Sequence, residues 1–394
     1  MHPKNKDKNR NDRYPRYPVR IFVIVCTLFF VVVTSTSGFP RVLKQENDSL
    51  DVKIGQMILI GFRGLSVDER SPIIRDIHKW HIGGVVIFDY DVPLKRPVRN
   101  IASPQQVKTL TASLQKASSI PLFIAIDQEG GNVNRLKEKF GFPPSVSEQY
   151  LGSRNNVDVT KHYAVQTART LSANGINLNF APVVDLNMNP DNPVIGKLER
   201  SFSDNPVVVT EQAITMIDTF HEYGILSAIK HFPGHGSSTA DSHKGFVDVT
   251  NTWSAIELKP FRALIKAGKC DMVMTAHVFN EALDPKWPAT LSHNILTQIL
   301  RHRLHYDGVI ISDDMQMKAI SSFYGLETAI TMAILAGIDI LVFPNNSVFQ
   351  EDIVALTITI IKNCVSRGII SENRINESYR RIRKLKERIK IYPQ

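Results

Sequence analysis

Two groups of residues in the second half of the chain combine types that could carry acid–base and nucleophilic chemistry. The stretch Lys230-His-Phe-Pro-Gly-His-Gly236 is followed by Asp241 and His243. In an extended segment, residues two apart face the same side, so this carboxylate could orient the imidazole and stabilise its cationic form, as a general acid/base pair requires. Farther along, an apolar run ends in Asp313 and Asp314. One of these acids could act as a nucleophile, and strand alternation alone does not say which one points into a site.

The same residues also favour a second interpretation, a metal-dependent hydrolase, because histidine and aspartate are zinc ligands. Two features of the predicted strands argue against it. The stretch 57–62 has no His-x-His pair, which metal-dependent amidohydrolase barrels normally supply, and the stretch 338–343 ends in apolar residues. We therefore expect no metal and no cofactor. The candidate ligands of this alternative are His231, His235, Asp241 and His243.

Such side chains need a scaffold, and the chain alternates eight β-branched runs with eight stretches of helical periodicity. This alternation predicts an α/β fold, a single (β/α)₈ barrel, since an open doubly wound sheet rarely needs eight parallel strands. The predicted strands are 57–62, 84–88, 122–127, 176–185, 226–231, 272–277, 308–313 and 338–343. The predicted helices lie near 67–79, 105–118, 158–173, 207–222, 255–267, 293–303, 318–335 and 349–366.

A barrel of this kind places its active-site groups at the carboxyl ends of the strands or in the loops that follow. Polar residues occur at these positions in five of the predicted strands. A single buried acid or histidine usually has a structural partner, but five such strand ends in one barrel indicate a site. The strand-end residues are Asp127, Asp185, Lys230, His231, His277, Asp313 and Asp314.

Charge is concentrated at the two ends of the chain. The net charge of the 394 residues is +9, of which residues 1–20 and 371–394 carry +5 each, so the remainder carries −1. A near-neutral body offers no phosphate-binding face, and we expect no nucleic-acid partner. Near the C-terminus, Ile382, Leu385 and Ile389 recur at helical spacing. This spacing predicts an amphipathic helix whose basic side chains are solvated. The chain has only three cysteines, which excludes a disulfide framework.

The N-terminus has the layout of a secretory signal. A basic segment, residues 1–20, precedes the run Ile21–Val33, which is apolar except for Thr27, and small residues follow at 34–38. The positive charge predicts that residues 1–20 stay in the cytosol and that the rest of the chain lies outside it. We expect a monomer, exported to the periplasm or cell envelope. The predicted parts are a signal peptide or anchor at 1–38 with 21–37 as its membrane segment, a linker at 39–51, and one barrel domain at 52–394.

Seven motifs, in this order, resemble those of glycoside hydrolase family 3, and in particular its NagZ-type β-N-acetylglucosaminidases. The resemblance covers residues 52 to 385, and Asp-x-His after the long histidine motif points to the N-acetylglucosaminidase branch. The motifs are Asp127-Gln-Glu-Gly-Gly131, Asn179-Phe-Ala-Pro-Val-Val-Asp185, Glu199-Arg-Ser-Phe202, Lys230-His-Phe-Pro-Gly-His-Gly236, Asp241-Ser-His243, Met274-Thr-Ala-His277 and Ser312-Asp-Asp-Met315.

The resemblance implies exo-acting removal of terminal β-linked N-acetylglucosamine (GlcNAc) by double displacement. Asp313 would be the nucleophile, and His243, with Asp241 as its partner, the acid/base. Most retaining glycosidases use a second carboxylic acid in that role. The substrate would be a GlcNAc-containing oligosaccharide, from peptidoglycan fragments or chitin-like chains. The residues that would bind the sugar are Asp127, Arg135, Arg200, Lys230 and His231.

The sequence departs from the family pattern at Asn132 and Asn134, where members often carry Arg and Gln. This difference puts the surroundings of Arg135 in question. Two further alternatives remain open at this point. One is a family 3 β-glucosidase, which Asp241-Ser-His243 disfavours. The other is a non-catalytic glycan-binding barrel, for which missing catalytic residues would be expected.

Overall fold

The computed structural model describes residues 48–389, and within them eight parallel strands close into a barrel in the order β1 to β8. The predicted (β/α)₈ barrel is therefore confirmed. The predicted signal or anchor, residues 1–38, lies outside the described residues. The strands are β1 Ile58–Gly61, β2 Gly84–Val86, β3 Phe123–Ile126, β4 Leu178–Asn179, β5 Leu226–Phe232, β6 Met272–Thr275, β7 Val309–Asp314 and β8 Ile340–Phe343.

Helices surround the barrel, and several of them begin at recognisable start signals. Ser71, Ser103 and Asn205 each precede a proline at the first helical position, where the missing N–H costs nothing and the fixed φ suits a helix. The α-helices are α1 Leu50–Gln56, α2 Pro72–Trp80, α3 Pro104–Ala117, α4 Glu148–Arg154, α5 Val157–Ala173, α6 Pro206–Glu222, α7 Leu258–Lys266, α8 Lys318–Tyr324, α9 Leu326–Ala336, α10 Ile353–Ser366 and α11 Glu372–Lys386, and Asn294–Arg303 form a π-helix.

The barrel closes where β8 pairs with β1, with Ile58 opposite Leu341 and Leu59 opposite Val342. Every residue of β1, β2, β3, β5, β6 and β8 is buried. Strands buried on both faces read as continuous apolar runs, which is why the eight runs could be located from sequence.

Strand β4 is much shorter than the predicted stretch 176–185, because its backbone leaves the ladder after Asn179. The Asn179 side chain pairs with the backbone of Gln128 in both directions, accepting from its N–H at 3.0 Å and donating to its carbonyl at 2.9 Å. Pro182 has no N–H to offer a ladder. The chain rejoins β5 farther on, where Val184 N donates to Lys230 O at 2.8 Å.

The predicted helix 318–335 is two helices. Gly325, at φ +69°, separates α8 from α9, and the two axes are bent by 112°. That φ lies in the left-handed region, which glycine adopts without steric cost and which ends a right-handed helix. Within residues 48–389, no single helix is long and apolar enough to cross a membrane, and only α8 and α9 taken together reach that length.

Helix α11 confirms the amphipathic pattern near the C-terminus, but the prediction that its basic side chains are solvated is wrong for several of them. Arg383 and Lys386 are buried. Lys386 Nζ donates to Gln56 Oε1 and to Gly83 O, each at 2.7 Å. Gly83 precedes β2, so this ammonium group lies at the amino end of the barrel, opposite the strand ends that carry the polar motifs.

A second charged cluster at the same end surrounds Asp339, whose side chain is fully buried just before β8. Arg301 Nη2 lies 2.6 Å from Asp339 Oδ2, and Arg374 and Arg381 each place a guanidinium nitrogen 3.4 Å from Oδ1. Ile310 N also donates to Oδ2, at 3.0 Å. Burial opposes ionisation of Asp339, but the three arginines outweigh it, so the pKa of this carboxyl lies below its ordinary value.

We predict that Asp339→Asn lowers the free energy of unfolding by up to about 3–5 kcal/mol, because it leaves three partly buried arginines without their counter-charge. A carboxyl whose pKa is lower in the folded state stabilises the protein above its unfolded pKa, and that contribution is lost as the pH falls through the folded pKa. Urea unfolding at pH 7 and at pH 3 should therefore differ less in the variant. Asp307→Asn is the matched control, since Asp307 also pairs with Arg381 but is 87% exposed. An equal loss in both variants would contradict the prediction.

Candidate active site

The carboxyl ends of the strands surround a cavity of about 350 Å³, a volume within the range of ligand sites. Loops after β3, β4 and β5 form its wall, together with the ends of β7 and β8. The structure brings to this one cavity every residue to which the family resemblance gave a catalytic or sugar-binding role, whereas the strand-end residues Asp185 and His277 do not line it. These lining residues are Asp127, Arg135, Arg200, Lys230, His231, Asp241, His243 and Asp313.

A buried network of two cations and two carboxylates forms the floor of the cavity. Glu129, with a side chain only 1% exposed, accepts from Arg200 Nε at 2.7 Å and from Arg200 Nη2 at 2.8 Å. Its Oε1 also lies 2.6 Å from Lys230 Nζ. Lys230 Nζ donates in addition to Asp127 Oδ1 at 2.9 Å. Because each buried charge has an opposite partner and the arginine contact is bidentate, the network satisfies charges that would otherwise be very costly to bury.

This network sets the charge state of its carboxylates. Burial disfavours ionisation of Asp127, but Lys230 and Arg135 more than compensate, and its pKa lies well below the usual range. For Glu129, burial is likewise outweighed by Arg200 and Lys230, which lower the pKa. Both acids are thus ionised at neutral pH. Asp127 keeps 20% of its side chain exposed, so it can still accept hydrogen bonds from a ligand hydroxyl.

The hydrogen bonds of His231 fix its tautomer. Arg200 Nη2 lies 3.2 Å from His231 Nε2, and since a guanidinium can only donate, Nε2 must accept. The proton therefore sits on Nδ1, which donates to Asp185 Oδ2 at 2.6 Å. Burial, with Arg200 and Lys230 nearby, lowers the pKa of His231 well below its ordinary value. The ring is neutral, and Asp185 and Arg200 hold it in place.

The structure distinguishes the two acids at the end of β7. Asp314 is buried and engaged by the loops, accepting from Gln316 N at 2.7 Å and from Ser347 Oγ at 2.9 Å. Burial raises the pKa of Asp314 to about 7. At Asp313, burial is outweighed by His277, by His243 and by the backbone N–H of Asp314, which donates to Asp313 Oδ1 at 2.7 Å, and the pKa is lowered. Asp313 is therefore an anion beside the cavity, as a nucleophile must be.

Asp241 and His243 form a hydrogen-bonded pair. His243 Nδ1 lies 2.9 Å from Asp241 Oδ1, and the same oxygen accepts from His243 N, also at 2.9 Å. Burial opposes ionisation of Asp241, but these contacts lower its pKa. The segment is a turn and not the extended stretch that the sequence argument assumed. Because Asp241 accepts the hydrogen bond from His243 Nδ1, the Nε2 atom of the same ring is left for a reacting group. The His243 side chain is 59% exposed.

The histidine motif after β5 packs tightly against its neighbours. A side chain at Gly236 would place its Cβ 1.7 Å from the carbonyl oxygen of Leu186, so only glycine fits there. Gly236 N donates to Glu257 Oε2 at 3.1 Å, and burial raises the pKa of Glu257 to about 7. His235 contacts Ser238 and Ser242 through its two ring nitrogens, at 2.7 and 3.2 Å. These contacts fit a loop-ordering role for His235.

The loop after β3 shows how the two asparagines are accommodated. Asn134 accepts from Gln128 Nε2 and donates to Ser145 Oγ, both at 2.8 Å, so it orders the loop from inside. Asn132 Nδ2 donates to Leu198 O at 3.3 Å and lines the cavity. Arg135 still reaches the site, with Nη2 3.6 Å from Asp127 Oδ2.

The metal alternative finds no ligand set in residues 48–389, where no group of three or more His, Cys, Asp or Glu side chains is placed to share an ion. Of the four candidate ligands, His231 is held by Asp185 and Arg200, and His235 by two serines. Asp241 and His243 contact each other.

Sequence reasoning missed Glu129 as a functional residue. It lies within the motif Asp127-Gln-Glu-Gly-Gly131, but its main partner, Arg200, is 71 residues away, and local spacing cannot reveal such a pairing. The available signal was the paired glycines that follow. Gly130 has φ +103°, and a Cβ there would lie 2.2 Å from Val146 O. A turn this tight aims Glu129 at the barrel interior.

Comparison with known proteins shows the family. Residues 49–385 match the family described as "Glycosyl hydrolase family 3 N terminal domain". The chain belongs to glycoside hydrolase family 3. All seven family 3 motifs read from the sequence line the cavity, since each contributes at least one lining residue, and Asn179-Phe-Ala-Pro-Val-Val-Asp185 contributes Phe180.

Named family 3 relatives include the "Beta-hexosaminidase A" of Pseudoalteromonas piscicida, which is 34% identical over 375 residues, covering 85% of this chain and 60% of that protein. The "Beta-hexosaminidase" of Tolumonas auensis is 37% identical over 293 residues, covering 73% and 83%. A solved family 3 β-N-acetylglucosaminidase from Paenibacillus sp. str. FPU-7 is 36% identical with a TM-score of 0.79, covering 87% of this chain and 63% of that one. The chain therefore spans less than two thirds of the Pseudoalteromonas and Paenibacillus proteins.

A shorter relative is matched by this chain over nearly the whole of the relative's length. The solved β-N-acetylhexosaminidase from Beutenbergia cavernae is 26% identical with a TM-score of 0.77, and the match covers 86% of this chain and 99% of that one. The part of this chain that matches thus accounts for nearly all of that solved chain.

We predict that His231 is the neutral Nδ1–H tautomer at pH 6 and above, because Arg200 and Asp185 enforce it and because its pKa is lowered. Long-range ¹H–¹⁵N correlation spectra of ¹⁵N-histidine-labelled protein report tautomer and charge directly, and His231→Asn identifies the signal by its loss. A His231 signal that shows the imidazolium at pH 6, or the Nε2–H tautomer, would disprove this assignment.

Proposed function

We propose that this protein is an exo-acting, retaining β-N-acetylglucosaminidase. The observation that carries the proposal is that a hydrogen-bonded Asp241–His243 pair and the ionised Asp313 line one cavity. A nucleophilic carboxylate opposite a separate acid/base group is what retention requires. The names of the relatives, β-hexosaminidase and β-N-acetylglucosaminidase, support GlcNAc as the sugar released.

In the first step, a carboxylate oxygen of Asp313 forms a bond to the anomeric carbon while the bond from that carbon to the leaving oxygen breaks. His243 Nε2 gives its proton to the leaving oxygen. Asp241, which accepts from Nδ1 at 2.9 Å, stabilises the cationic ring before the transfer and fixes its orientation. The product of this step is a glycosyl-enzyme ester on Asp313.

In the second step, water attacks the anomeric carbon and the bond to Asp313 breaks. His243 Nε2, now neutral, accepts a proton from that water, which returns the histidine to its starting state. Two inversions at one carbon leave the β configuration unchanged. One histidine thus acts as acid and then as base, and no second carboxylic acid is needed.

The floor of the cavity supports binding of a terminal sugar. Lys230, Asp127 and Arg200 present donors and acceptors fixed by the buried network. Such groups can exchange hydrogen bonds with sugar hydroxyls without first paying the entropic cost of being ordered. Because the barrel is closed and its interior is packed, a sugar can enter the cavity only from the loop side.

The decisive prediction compares the two neighbouring acids. Asp313→Asn should lower kcat/KM for p-nitrophenyl β-N-acetylglucosaminide by at least about 1,000-fold, because the nucleophile is lost. Asp314→Asn should keep far more of the activity than Asp313→Asn, since the Asp314 carboxyl is held by the loops through Gln316 N and Ser347 Oγ and an amide oxygen can still accept one of these hydrogen bonds. The wild type should hydrolyse the N-acetyl substrate in preference to the β-glucoside, with EDTA having no effect.

Several outcomes would count against the proposal. Loss of activity on chelation together with an active Asp313→Asn variant would favour the metal-dependent hydrolase. Equal activity on both sugars would favour a β-glucosidase. ¹H NMR of the first-formed product distinguishes the stereochemistry, and initial release of the α-anomer would rule out retention.

We also propose that the protein is exported to the periplasm or cell envelope, and that it acts there as a monomer on GlcNAc-containing peptidoglycan fragments or chitin-like chains. The basic, apolar and small-residue order of residues 1–38 supports export. Removing residues 1–38 should confine the active protein to the cytosolic fraction. Fractionation with activity assays tests this, and the full chain and the shortened chain appearing in the same fraction would refute export.

A further inference from the structure

Three phenylalanines form a cluster outside the cavity described above. The ring centroid of Phe246 lies 5.4 Å from that of Phe279 and 5.5 Å from that of Phe323. Phe246 is 40% exposed and Phe323 is 57% exposed. Aromatic rings usually bury most of their surface, and exposed apolar patches of this kind often mark binding sites. Neither the acid–base chemistry nor the ionic floor accounts for these rings.

The topology places the cluster at the mouth of the active site. Phe246, Phe279 and Phe323 follow the carboxyl ends of β5, β6 and β7, which are neighbours in the barrel. His243 lies on the loop after β5, and Asp313 ends β7. The cluster therefore occupies the same side of the mouth as the proposed acid/base and nucleophile.

The backbone holds the His243 loop against the loop after β6. Phe279 N donates to Val247 O at 2.8 Å, and Val249 N donates to Phe279 O at 2.9 Å. Phe246 is therefore the side chain immediately before a short backbone ladder. Its position is set by that ladder as well as by contact with the other two rings.

The position of His243 indicates that the phenylalanine cluster faces the leaving-group side of the substrate. A group that protonates the leaving oxygen has to lie beside the leaving-group sugar, and 59% of the His243 side chain is exposed at the cavity edge. Phe246 is three residues from His243, so their Cα atoms are at most about 11 Å apart. A pyranose ring bonded through that oxygen is small enough to lie between the two side chains. Its C–H face is apolar and suits an aromatic surface.

We propose that Phe246 and Phe323 form an aromatic platform that stacks against the leaving-group sugar of the substrate. The inference rests on the proposed function, since it takes His243 as the acid/base, and it adds a preference for leaving groups that are themselves pyranose sugars. Phe279, the partly buried member of the cluster, supports Phe246 from behind.

The test compares substrates with and without a leaving-group sugar. In β-GlcNAc fluoride the leaving group is a single atom that cannot reach the platform, whereas β-1,4-linked GlcNAc di- and trisaccharides place a pyranose there. Phe323→Ala should lower kcat/KM for the di- and trisaccharide by about ten-fold, the scale of one lost aromatic contact. It should leave kcat/KM for the fluoride within about two-fold, and Phe323→Trp should restore the oligosaccharide rate.

Phe323 is exposed and lies off the His243 loop, so its removal leaves the acid/base in place. Tyr150→Ala is the matched control, because Tyr150 is 39% exposed and packs edge-on against Tyr163, but lies on α4, between β3 and β4. The control variant should leave kcat/KM unchanged for both the fluoride and the oligosaccharides. Thermal unfolding midpoints of all variants check that they are folded, and Phe246→Ala supplies a second test should Phe323→Ala unfold.

Two results would overturn the platform. One is an unchanged ratio of oligosaccharide to fluoride rates in Phe323→Ala and Phe246→Ala. The other is an equal loss on both substrates, which would mean that the rings only shape the active site. Failure of the proposed function looks different, because the wild-type protein would then hydrolyse neither the fluoride nor the oligosaccharides, and the platform would fall with it.

Discussion

The burial of Glu129 between Arg200 and Lys230 is the constraint on which the active site depends. Two cations at the floor of a barrel are tolerable only if acids of matching charge lie within hydrogen-bond distance, and Glu129 and Asp127 meet that condition. Arg200 then fixes His231 through Nε2. Each residue that would bind the sugar is thus held by the next, and the site is ordered before any ligand arrives.

Much of the fold follows from the sequence because strands buried on both faces are apolar throughout. Each departure has its own physical cause. Strand β4 ends early because the Asn179 side chain takes over the pairing with Gln128. The predicted helix after β7 is broken because Gly325 adopts a left-handed φ. Lys386 is buried, although lysines are nearly always exposed, because Gln56 and Gly83 supply two acceptors from distant parts of the chain.

The sequence predicted that the site lies at the carboxyl ends of the strands, since a barrel brings all of these ends to one face. The hydrogen bonds and ion pairs within the site were not predictable, because partners such as Glu129 and Arg200 are far apart in sequence. The choice between Asp313 and Asp314 needed contacts as well: both line the cavity, but Gln316 and Ser347 hold the carboxylate of Asp314, and Asp313 is the less buried of the two. The types and order of residues along the chain identified the site residues. Their contacts depend on long-range packing, which only the structure shows.

The Asp241–His243 pair is made within a single turn, by two contacts that share one carboxylate oxygen. Its internal geometry therefore owes little to the barrel, whereas Asp313 is fixed on a strand of the barrel wall. If the loop shifts, imidazole and carboxylate travel as one body, and the proton donor keeps its orientation partner throughout. In the proposed mechanism, a shift of the loop would then change the separation between this body and Asp313 without disturbing the contact between His243 and Asp241.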